Sequence, residues 1–60
     1  MNTNTSIMIR VEKLVRQAQD DSRTRPMVRG YLNRAFEYAR VRREPELMRF
    51  VCEQERAIGM

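Results

Sequence analysis

MVRGYLNRAFEYARVRR, residues 27–43, is the longest run in this chain whose apolar side chains keep an unbroken helical beat. Val28, Leu32, Ala35, Phe36 and Ala39 recur at the three-and-four spacing that stacks side chains on one face of an α-helix. A turn of about 100° per residue sends Arg29, Asn33, Glu37 and Arg40 to the polar side, so the segment is amphipathic and needs a cover.

On the N-terminal side, Ile7, Val11, Leu14, Val15 and Ala18 share a second apolar face. Thr5 or Ser6 is the expected N-cap, because a hydroxyl there can accept an otherwise unpaired backbone N–H. The first helix is therefore expected over about 6–19, behind a disordered start at 1–5. The linker DDSRTRP, residues 20–26, is made of turn and capping types. Thr24 is the expected side-chain cap of the central helix, and Pro26 suits a first helical turn, where the N–H it lacks would be unpaired anyway.

The central helix is expected over 25–43. Gly30 sits inside it at a cost of up to about 1 kcal/mol relative to alanine, which reads as tolerance or close helix packing, with a contact to a partner as the alternative. Glu44-Pro45 is the next break, since proline disfavours the α conformation in the residue before it. A third helix is expected over 45–58, with Leu47, Phe50, Val51 and Ile58 inward and Gly59 as its stop. No segment alternates with period two. The fold class is all-α, with one helical domain over 6–60. It is either a small three-helix bundle or a helical hairpin whose second arm, 27–58, is kinked at Pro45, completed by dimerisation or by a partner.

Size argues for such completion. A chain of 60 residues buries only about 60% of the surface it exposes unfolded, and small folds are usually reinforced by disulfides, metals or a second subunit. One cysteine and no histidine leave subunits or partners. The lone cysteine implies no oxidising compartment, no apolar run approaches the roughly 18 residues a membrane span needs, and the polar MNTNTS start lacks the order of a secretory signal. The expected setting is the cytoplasm, away from the membrane.

Formal charge is +4, with eleven arginines and one lysine supplying the basic side chains. Residues 1–43 carry net +6 and residues 44–60 net −2. Histidine is absent, and no glycine-rich phosphate loop, Cys-x-x-Cys or His-Glu-x-x-His spacing occurs. Glu53 and Glu55 fall on different helix faces, and Glu44 and Glu46 sit where a helix start favours acids. These patterns argue against an enzyme and call for no cofactor or metal.

Three sets of residues remain as candidate sites. Met27, Tyr31 and Tyr38, with Arg34 beside them, line one border of the central helix's apolar face; tyrosine and arginine are enriched at binding hot spots. Arg23, Arg25 and Arg29 cluster at the start of that helix and Arg40, Arg42 and Arg43 at its end, a strip suited to phosphates or an acidic surface. Met48 and Cys52 widen the apolar face of the third helix and mark an expected self-association contact. A helix-turn-helix reader is disfavoured, because the third helix is net acidic and opens with Glu44 and Glu46.

The function expected from these features is a small adaptor or regulatory protein that docks on a larger, acidic protein surface through its arginine- and tyrosine-bearing helix. Homo-oligomerisation is expected alongside. The alternative is a small basic nucleic-acid-binding protein using its arginine clusters.

Overall fold

A computed structural model describes residues 3–59 and arranges them as α1 (Thr3–Asp20), a 3₁₀ turn (Ser22–Thr24), α2 (Arg25–Val41) and α3 (Pro45–Gly59). No strand occurs among the described residues. Helix α1 opens at Thr3, so Thr5 and Ser6 lie within its first turns instead of capping it. Of the start expected to be disordered, residues 1 and 2 lie outside the described residues, while Thr3, Asn4 and Thr5 are helical. Ile7 and Met8 pack against the core and anchor a turn whose threonines and asparagine would form it poorly alone.

Asp21 organises the first corner. Its N–H still donates to the Gln17 carbonyl at 2.8 Å, after which its backbone is extended, with φ −134° and ψ 101°. The carboxylate then accepts the Arg23 backbone N–H at 3.1 Å and the Arg23 guanidinium at 3.1 and 3.3 Å. Thr24 behaves differently from the side-chain cap expected of it. Its backbone is already helical, with φ −85° and ψ −7°, a conformation unlike the extended one a capping side chain uses. Its hydroxyl donates backward to the Asp21 carbonyl at 2.8 Å.

The second corner decides between the two architectures. The Arg43 N–H donates to Arg40 O at 3.2 Å and the Glu44 N–H to Ala39 O at 2.9 Å, the paired bonds of a Schellman motif. Arg43 occupies its left-handed position with φ 56°. Glu44 both closes α2 and starts α3, since its carbonyl accepts the Met48 N–H at 3.0 Å. Helix α2 therefore stops at Val41, short of the expected 43, because Arg42 and Arg43 are used by the turn. Residues 42–44 leave the helical path between α2 and α3, with Arg43 left-handed, so 27–58 is not one continuous arm. The arrangement is three helices, and the kinked hairpin is excluded.

The three helices close around Val11, Val15 and Ala18 of α1, Val28, Leu32, Ala35 and Ala39 of α2, and Leu47, Val51 and Ile58 of α3. Phe36, Phe50, Leu14 and Met48 flank this core half-buried. The radius of gyration, 10.9 Å, is close to the roughly 10 Å of a compact chain of this length. Helix α3 runs through its expected stop at Gly59, and Met60 lies outside the described residues. No helix among the described residues is long and apolar enough to cross a membrane.

Candidate docking surface

Helix α2 carries two apolar stripes, one residue out of step. The first, Val28, Leu32, Ala35 and Ala39, is buried. The second, Met27, Tyr31, Arg34 and Tyr38, continues to Val41 with spacings of four, three, four and three, the repeat that aligns side chains toward a neighbouring helix. Among the described residues, no helix covers this stripe along its whole length. Met27 and Val41 are 59% and 73% exposed, which with Ile9 makes them the exposed large hydrophobics of the described chain. Arg34 is exposed, and Tyr31 and Tyr38 are half-buried against the core.

The two tyrosines border a furrow. A depression of about 160 Å³ between α1 and α2 is lined by Ile7, Tyr31, Arg34, Ala35 and Tyr38. A second, of about 310 Å³, is lined by Pro26, Met27, Gly30, Tyr31 and Arg34. Tyr31 and Arg34 belong to both, so all four residues expected to bind a partner lie along one continuous surface. The first depression is smaller than the roughly 300 to 1,000 Å³ of small-molecule sites and suits an inserted side chain. A Cβ built on Gly30 would meet nothing within 4 Å, so this glycine serves no close packing within the chain.

The arginines divide by what they touch. Arg42 leaves its cluster for the tyrosine edge, its guanidinium carbon 5.1 Å from the centre of the Tyr38 ring, a cation–π contact that steadies both groups. Arg40 donates to Glu37 at 2.8 Å; that hydrogen bond, aided by charge attraction, lowers the Glu37 carboxyl and raises the Arg40 guanidinium. The hydrogen bonds from the Arg23 side chain and then its backbone lower the Asp21 carboxyl. Arg25, Arg29 and Arg43 are exposed. The two clusters lie at opposite ends of α2, about 22 Å apart.

Met48 and Cys52, expected to share a contact surface, differ in exposure. Met48 is half-buried and packs on the core, whereas Cys52 is exposed with a free thiol. Among the described residues, no group of three or more His, Cys, Asp or Glu side chains is placed to hold a metal ion.

Three further residues border this candidate surface: Val41, Ile7 and Arg42. Val41 was legible, since it extends the four-three spacing from Met27. Ile7 was assigned wholly to the core, and only the placement of α1 beside α2 brings it to the furrow. Arg42 was grouped with its basic neighbours, although its i,i+4 relation to Tyr38 was available. Comparison with protein-family models, with curated proteins and with solved structures finds no match for this chain.

Proposed function

We propose that the protein is a non-enzymatic docking module, a small adaptor or regulator that engages a larger protein through the Met27–Tyr31–Arg34–Tyr38 edge of α2. One observation carries this reading: a second heptad-like stripe on α2 stays open, with Met27 and Val41 more than half exposed. Tyr31 and Tyr38 supply large, half-buried rings whose core-facing sides are already fixed, which limits the ordering cost of binding. Arg34 favours a partner surface bearing acidic groups.

The test compares tagged wild type with a Tyr31→Ala, Tyr38→Ala variant in a pull-down from native extract. Circular dichroism establishes that the variant keeps its helices. Wild type is expected to retain a discrete protein that the variant loses, and equal recovery by both discards this surface.

The runner-up is nucleic-acid binding through Arg23, Arg25, Arg29, Arg40, Arg42 and Arg43, favoured by the exposure of all six. It ranks second because Arg23 and Arg40 meet carboxylates and Arg42 meets Tyr38. Self-association through Cys52 beside Met48 uses a different helix and is compatible with docking on α2.

A further inference from the structure

No further inference is drawn: the strongest candidate, the open stripe of Met27, Tyr31, Arg34, Tyr38 and Val41 along α2 with the furrow between α1 and α2 beside it, carries nothing beyond the docking reading because nothing in the structure shows what covers it.

Discussion

Arg43 holds the left-handed turn between α2 and α3 with φ 56°, so Arg43→Gly tests how that corner is built. An L-residue in this region is strained by roughly 1 to 2 kcal/mol. Glycine removes the strain but loses more backbone freedom on folding, at about 0.5 to 1 kcal/mol. The expected net gain is about 0.5 to 1 kcal/mol, because the Schellman bonds from Arg43 and Glu44 are made by the backbone and survive the change. In a domain this small, 1 kcal/mol shifts the melting temperature by about 4 to 8 °C, so a rise of a few degrees is expected. Thermal unfolding followed by circular dichroism reads it. Arg43→Ala is the control, since it removes the charge and keeps the strain, and Arg43→Val should fall below both because a β-branched residue suits positive φ worst. A glycine variant no more stable than the alanine variant would refute the reasoning.

Gly30→Ala should raise stability by about 0.5 to 1 kcal/mol, since the added methyl meets nothing within 4 Å; a melting temperature at or below that of wild type would contradict that open space. Asp21→Asn keeps a capping oxygen and removes the charge that Arg23 stabilises. Because the folded carboxyl is lowered from its ordinary 3.8, its contribution is present above that value and disappears as pH falls below it. The wild-type advantage in melting temperature should therefore close in acid, and an advantage independent of pH would contradict the ion pair. Under the nucleic-acid alternative, retention on heparin should fall steeply with salt, and alanine at Arg40, Arg42 and Arg43 should make the salt dependence shallower. No retention at low salt removes that alternative.

The helices and their inward faces were readable because burial follows the 3.6-residue period; Val28, Leu32, Ala35 and Ala39 announce α2's core stripe directly. Corner detail was not readable to the same degree. Thr24 has the composition of a cap, yet Asp21 is better placed, and the choice depends on backbone angles that composition does not encode. Arg43 in a glycine's usual place gives no sequence signal, so α2 was expected two residues too long. The choice between bundle and hairpin rested on the same corner, where Pro45 permits a kink or a break and the hydrogen bonds of Glu44 decide. At the site, the Met27, Tyr31, Arg34 and Tyr38 border was legible as a periodic edge. Ile7 required knowing which helices are neighbours, and Arg42 was obscured by the charge of its own cluster.

A docking module of this kind has its α2 stripe covered by another protein. A photo-cross-linking amino acid in place of Tyr31, compared with the same group in place of the exposed Glu12 of α1, tests this in the native host. One discrete protein adduct from position 31 and none from position 12 are the expected result. Adducts equal at both positions, or an adduct to nucleic acid at position 31, would contradict protein docking on α2.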